Sequence, residues 1–442
     1  MGARAPRVVV TDMGLVTAAG VGVDAAWDHI ERGSSCIRPV RSFDTSAFPV
    51  ALGAEIDQVP QTGRDDDQRS MRLLLAAAGT LTTGLHTVLR RDPEAARRTA
   101  VVLGTSKGEI FGMARVHRRF ARGIGKLTPS EVEAVRAYRP GHGANRLAEH
   151  LGARGPRSTV GLACASSAMA IIHAADLIRS GAVDRAVAGG YDGFSPFIFT
   201  GFHVIGALSQ VACRPFDRGR DGTVLGEGAA LLVLESDEAA RARGVSPLAV
   251  LEGGGAAGDG VHLTAPDQHG RGLIRAVRHA LAMANVRPDE VGYVNAHGTA
   301  TPFNDAMECE AFRQIFADHG EMPPISSIKS IFGHTLGAAG ALDAIVSILA
   351  MRRQVLPPTV NGAVDPLVPG WDFVVDHGRP AEDLDLVLTT NSGFAGNNTA
   401  LVFRLPDDAS DPRRAARDTS HASTGSRVDV ESRTPHWDGM AP

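Results

Sequence analysis

Cysteine is scarce: Cys36, Cys164, Cys213 and Cys309 are the only four in 442 residues, and no two form a Cys-x-x-Cys pair. Four scattered thiols exclude a disulfide framework and a zinc ribbon, and suit a reducing compartment, so a cytoplasmic location is expected. Long apolar runs are missing too. A membrane-spanning helix needs roughly 18 or more such residues, and the richest stretch, 335–351, is interrupted by Asp343. The amino terminus, MGARAPRVVV, lacks the apolar core of a secretory signal and has Pro6 where a myristoylation signal wants Ser or Thr. Neither sign of charge is in surplus, with 45 Lys+Arg against 49 Asp+Glu and a formal net charge of −4. Nucleic-acid binding needs clustered surplus cations, so it is not expected. No Gly-x-x-x-x-Gly-Lys-[Ser/Thr] occurs. The run GGGAAGDG at 253–260 is a phosphate-loop lookalike without the lysine, so nucleotide binding is not supported.

Small and apolar residues are plentiful. Glycine supplies 50 residues, apolar types 43% and aromatics only 5%, a composition suited to close backbone packing. Short apolar runs bounded by glycine and small polar residues predict strands at 8–10, 100–103, 159–163, 186–188, 230–234, 291–295, 386–390 and 400–403. Helix-period stretches lie between them at 23–32, 69–91, 107–122, 165–180, 272–285, 303–317 and 335–353. Strands alternating with long helices indicate βαβ units and a layered α/β fold. Two segments echo each other: Cys164 opens CASSAMAIIHAADLIRSG, and His334 opens HTLGAAGALDAIVSILAMRR. They are either two ordinary buried helices or the matching termini of a duplicated fold. After Leu405 the chain turns charged and aperiodic, and 406–442 is expected to be a disordered tail.

The chemistry-bearing residues stand at element ends. Cys164 sits between a strand and a helix, where the helix dipole favours a thiolate and the free N–H groups of the first turn can meet an oxyanion. His297 leaves the strand 291–295 into Gly298, and Lys329 and His334 follow in ISSIKSIFGHT. A histidine leaving a strand into a glycine turn projects from the carboxyl end of the sheet, a usual place for sites in open α/β folds. Each alone could be structural. Together, a helix-start cysteine, two histidines and a lysine form a nucleophile and base set. The absence of any His-x-x-x-His or Cys-x-x-Cys spacing argues against a metal.

The segments VGLACASSAMA, FDRGRDGTVLGEGAALLVLE, NAHGTATPFND, SIKSIFGHTLGAAGA and NSGFAGNNTALVF together resemble a β-ketoacyl-acyl-carrier-protein synthase of the elongating Cys-His-His class, from Val8 to about Phe403. The resemblance implies a thiolase-like duplication of βαβαβ halves in a five-layered αβαβα arrangement, with halves at 1–250 and 251–405. It implies an acyltransferase without a resident cofactor or metal, whose substrates ride on the phosphopantetheine arm of acyl carrier protein. Cys164 would accept the acyl chain, and His297 and His334 would hold the thioester oxygen during malonyl decarboxylation. Lys329 would orient the histidines with Glu308 as its ion-pair partner. Thr299 and Thr301 would bind the pantetheine arm, and Phe394 would gate the pocket and offer an oxyanion N–H beside that of Cys164. The family forms dimers, here a homodimer or a heterodimer with a related subunit.

Departures from the family pattern bear on the pathway. The loop NSGFAGNN is one residue shorter than usual, with Ala395 and Asn397 substituted, and the loop 209–213 is shortened. Lys107 falls where fatty-acid enzymes carry an apolar pocket residue, with Glu109 as a candidate partner. Asp65, Asp66 and Asp67 interrupt the basic stretch that carries Arg69 and Arg72. A second cluster, Arg115, Arg118, Arg119, Arg122 and Lys126, could steer an acidic carrier protein or be a solvated face. These features favour polyketide or polyene biosynthesis over fatty-acid elongation. The alternative is a non-catalytic subunit that sets chain length; such subunits lack the cysteine. A degradative thiolase is disfavoured, since no cysteine follows Cys309.

Overall fold

Val8–Thr17 is buried along its whole length, as expected of a strand covered on both faces. It is the pivot of the molecule. The computed structural model describes residues 5–59, 68–123, 125–362 and 365–407. Asp65, Asp66, Asp67 and the tail from residue 408 lie outside them. Numbering only the principal strands, β1 is Val8–Thr17, β2 Thr99–Gly104, β3 Arg157–Val160, β4 Arg185–Asp192 and β5 Gly228–Ser236. The second set is β6 Ala249–Gly258, β7 Tyr293–Asn295, β8 Ile325–Ser326, β9 Leu386–Gly393 and β10 Asn397–Arg404. Their spatial order is β8-β7-β9-β10-β6-β1-β5-β4-β2-β3. Read from each outer edge inward, both sets run third, second, fourth, fifth, first. The topology is duplicated. The two sets join as one ladder through β1 and β6, which pair only at Val9–Val250 and Val10–Ala249.

Six helices make the layers: α1 Arg69–Gly79, α2 His142–Leu151, α3 Ser166–Arg179, α4 Arg271–Ala284, α5 Pro302–Phe316 and α6 Ala339–Arg353. Helices α1 and α2 cover the outer face of the first set, and α4, backed by α5, covers that of the second. Between the sets lie α3 and α6, the two echoing segments, in contact with each other and with strands of both halves. Helix α6 is buried from Ala339 to Met351 without a break, as a helix apolar all round must be. Small residues permit the approach: a Cβ on Gly340 would lie 2.7 Å from Ala168.

Several element assignments change. The expected helix 69–91 is two, Arg69–Gly79 and Leu85–Arg91, because Gly84 adopts φ 66° between them. The strand expected at 159–163 stops at Val160, and Ala163 opens a 3₁₀ turn. Helices Pro129–Ala137, His142–Leu151 and Pro196–Val204 were not foreseen. The glycine run 253–255 is strand β6, not a loop. Side chains there would strike α4, since a Cβ on Gly253 or Gly255 would lie about 2 Å from the carbonyl oxygen of Ala280 or Ala276.

Candidate active site

The nucleophile turn is built by short-range bonds. After β3, Ala163 takes φ 48° and the 3₁₀ turn Ala163–Ala165 leads into α3. Ser166 Oγ accepts from Leu162 N at 2.8 Å and donates to Ala163 O at 2.6 Å, while Ser106 Oγ donates to the same carbonyl at 2.9 Å. Cys164 is thereby fixed at the start of a central helix, 6% exposed.

His334 meets it from the other half. Its backbone N–H donates to Val224 O at 2.7 Å and its carbonyl accepts from Gly226 N at 3.0 Å. Its Nε2 lies 3.0 Å from Cys164 Sγ. His297 follows β7, and its ring centroid is 5.3 Å from that of His334 at 82°. The N–H groups of His297 and Gly298 donate to the Glu308 carboxylate at 2.8 and 2.7 Å. One ligand atom from each of Cys164, His297 and His334 falls within a 4.8 Å cluster, all three residues buried.

Lys329 stands behind the histidines, and its partner corrects the sequence expectation. Its Nζ lies 3.3 Å from Asp343 Oδ2, with both side chains buried. Glu308 instead holds the His297–Gly298 backbone and accepts from Asn304 Nδ2 at 2.8 Å and Thr390 Oγ1 at 3.2 Å. Asn391 Nδ2 donates to Asp343 Oδ2 at 2.7 Å and lies 3.5 Å from His297 Nδ1, so an ionised Asp343 orients the amide with its N–H₂ toward the imidazole. Asp343 and Asn391 are site residues that sequence reasoning missed. The signal was present for Asp343: a carboxylate in an otherwise apolar helix needs a partner.

Burial governs the charge states. It pushes the Cys164 thiol up to about 12, against the pull of Lys329. Burial thus opposes the thiolate that the helix dipole favours. Desolvation, reinforced by the Lys329 charge, holds His297 and His334 well below the usual imidazole range. A neutral thiol faces two neutral imidazoles. The same three groups could ligate an ion on distance alone, but the Lys329 cation, which acts on all three, opposes a second positive charge. The other thiols are buried as well, with Cys36 and Cys213 pushed up to about 12 and Cys309 raised.

A cavity of about 270 Å³ reaches Cys164, His297 and His334 from the surface and is lined by Thr299, Thr301 and Phe394 among others. The two threonine hydroxyls bond each other at 2.8 Å. Thr301 occupies the cap position of α5 but its side chain makes no cap bond, leaving it on the cavity wall. The Phe394 ring stacks on Phe202 at 5.7 Å. Lys107 is exposed rather than seated in a pocket base, while Glu109 is buried. Arg69 is also not free for docking, because the buried Glu227 carboxylate holds its guanidinium. In the second basic cluster Arg115, Arg118, Arg122 and Lys126 are exposed, whereas Arg119 is bonded to Glu131 at 2.8 Å.

Known proteins are similar to this chain in sequence and fold. Residues 5–240 match the family profile "Beta-ketoacyl synthase, N-terminal domain", and residues 248–363 match "Beta-ketoacyl synthase, C-terminal domain". The chain belongs to the β-ketoacyl synthase family. It is 36% identical over 417 residues to a "putative polyketide beta-ketoacyl synthase 1" of Streptomyces cyaneus, covering 90% of this chain and 98% of that one. It is 34% identical over 412 residues to "3-oxoacyl-[acyl-carrier-protein] synthase 2" of Vibrio harveyi, with 90% and 98% covered. Among solved structures, "the ishigamide ketosynthase/chain length factor" superposes with a TM-score of 0.84 at 33% identity, covering 91% of this chain and all of that one. A chain of the complex between a ketosynthase and its chain length factor from Xenorhabdus doucetiae gives 0.77 at 28% identity, with 91% and 98% covered. By this membership the chain is an acyltransferase with the thiolase-like duplicated fold. No helix among its described residues is long and apolar enough to cross a membrane.

Proposed function

We propose that this β-ketoacyl synthase joins an acyl group carried on Cys164 to a malonyl unit on acyl carrier protein by decarboxylative Claisen condensation. The observation that carries the reading is the 3.0 Å approach of Cys164 Sγ to His334 Nε2 with His297 beside them. In the first half-reaction the thiol passes its proton to His334 Nε2 as sulfur attacks the carrier thioester, and the departing pantetheine thiol takes that proton back. A buried thiol needs such an acceptor, since burial opposes ionisation without one. The Cys164 N–H supports the tetrahedral oxyanion with the Phe394 N–H; one such donor is typically worth about 3–4 kcal/mol.

In the second half-reaction malonyl-carrier protein loses carbon dioxide. The enolate oxygen is held by neutral imidazoles, His297 donating from Nε2 with Nδ1 toward Asn391, and His334 in the tautomer that carries its proton on Nε2. The enolate carbon attacks the acyl-Cys164 carbonyl, and the Cys164 sulfur leaves as a thiolate that takes its proton from solvent water. Lys329, fixed by Asp343, supplies positive field. Thr299 and Thr301 bind the pantetheine arm, and Phe394 gates the entrance. The exposed cations Arg115, Arg118, Arg122 and Lys126 steer the acidic carrier protein.

The pathway we favour is polyketide or polyene assembly, with a homologous chain as dimer partner. Similarity to polyketide synthases and to ketosynthases solved with chain length factors supports it. A purely chain-length-setting role is the competing reading, and the intact Cys164, His297, His334 and Lys329 set stands against it. The test is reconstitution with hexanoyl- and malonyl-loaded carrier protein, the chain alone or co-expressed with a related subunit. Formation of β-ketoacyl product that requires Cys164 is expected. Product formation by the partner subunit alone would remove the catalytic assignment.

A further inference from the structure

The two central turns correspond under the duplication. Each opens on a non-glycine residue at positive φ, Ala163 at 48° and Leu336 at 55°, runs as a 3₁₀ turn and enters a central helix. Cys164 therefore matches Gly337, and Asp192, the last residue of β4, matches Gly393, the last residue of β9. A Cβ on Gly393 would lie 3.1 Å from Cys164 N. In the matching place, Asp192 Oδ2 accepts from Gly337 N at 2.7 Å. One half leaves bare glycine beside the turn's N–H; the other fills that place with a carboxylate.

Asp192 is fully buried and accepts four hydrogen bonds. Beyond Gly337 N, its donors are Ser106 N at 2.8 Å, Lys107 N at 3.1 Å and Thr105 Oγ1 at 2.7 Å. Ser106 carries the link onward, since its Oγ holds the carbonyl of Ala163, next to the nucleophile. Gly337 carries it the other way, three residues past His334. A Cβ on Gly337 would lie 2.5 Å from both Asp192 Oδ2 and Ser106 N, so glycine alone leaves the carboxylate room. Both turns contain a non-glycine residue in the left-handed region, a conformation that costs about 1–3 kcal/mol and persists only where the surroundings enforce it.

We infer that Asp192 is a positioning residue that bolts the nucleophile turn to the histidine turn and so sets the separation of Cys164 and His334. The inference rests on Cys164 being the acyl acceptor. Burial raises the Asp192 carboxyl and its four donors pull it back; its charge, when present, adds to the rise of the Cys164 thiol, an electrostatic signature that a purely structural residue lacks.

The test measures transfer from hexanoyl-loaded carrier protein onto Cys164 by mass spectrometry, and iodoacetamide alkylation of Cys164 across a pH series. Wild type must first take the acyl group; if it does not, the functional reading fails whatever Asp192 does. Given that transfer, Asp192→Asn is expected to slow acylation about 10²-fold, the usual effect of misplacing a reacting group by about 1 Å. Its alkylation profile should move to lower pH as a nearby negative charge is removed. Acylation within about twofold of wild type with an unmoved profile overturns the inference. Should Asp192→Asn fail to fold, Ser106→Ala decides, because it cuts only the arm to Ala163. It is expected to slow acylation about tenfold at an unchanged melting temperature, and a rate within about twofold of wild type overturns the bolt.

Discussion

The turns at 163–165 and 336–338 share a backbone but not a task. Both open at positive φ, both precede a central helix, and each packs against the other. The difference lies in three matched positions. Cys164 corresponds to Gly337, Gly393 to Asp192, and Ala170 of α3 to Asp343 of α6. The first turn keeps a sulfur, no side chain beside its N–H, and an alanine, Ala170, at the matched position of its helix. The second has lost the nucleophile, taken a carboxylate onto its N–H, and gained a buried charge that holds Lys329. Duplication supplied two equivalent cradles, and side chains made one reactive and the other its frame.

The largest expected effect comes from erasing the reactive member. Cys164→Ala should abolish condensation while malonyl decarboxylation continues, since His297, His334 and Lys329 remain; carbon dioxide release and β-ketoacyl product are assayed separately. Persisting condensation would falsify the assignment of the first turn as the reactive one. Next is Gly393→Ala, which places a methyl group 3.1 Å from Cys164 N, where the oxyanion needs to sit. Loss of one oxyanion donor typically lowers kcat by about 10²–10³, and a kcat like wild type would mean that this N–H is not used. Third, Asp343→Ala makes α6 resemble α3 at that position and leaves Lys329 buried without its carboxylate. A destabilisation of about 3–5 kcal/mol is expected, read from urea unfolding.

The smallest effect concerns Glu308, which braces His297. Burial and the nearby Asp305 charge raise its carboxyl from 4.5 to about 7. A carboxyl raised in the folded state contributes stability that is complete below the unfolded value and is lost as pH rises through the folded one. Wild type should therefore lose up to about 3 kcal/mol relative to Glu308→Gln between pH 4.5 and 7. Melting curves of the two proteins that stay parallel across that window would remove Glu308 as the titrating group.

Legibility followed range. The placement of Cys164 between strand and helix could be read because a few neighbouring residues fix it. The histidine turns were readable for the same reason, through Gly298 and Gly333. Lys329 was seen but its partner was assigned to Glu308, because spacing does not reveal which face of α6 presents Asp343. Asn391 gave no local signal; its amide matters only where β9 passes between His297 and Asp343. The glycine run of β6 read as a loop, because its lack of side chains is explained by α4, which arrives some twenty residues later.

The sequence by itself determined the candidate reacting groups, their order, and a layered α/β architecture with a small-residue helix after each turn, since these follow from residue type and short-range pattern; duplication was implied by the family resemblance and is seen in the strand order. Only the tertiary structure decided which charges meet and which groups are ionised. A thiol at a helix start favours its anion in water, yet enclosure by both halves removes that water and raises the Cys164 thiol, with His334 Nε2 placed 3.0 Å from its sulfur. Desolvation is a property of the whole packed molecule, and no local stretch of chain encodes it.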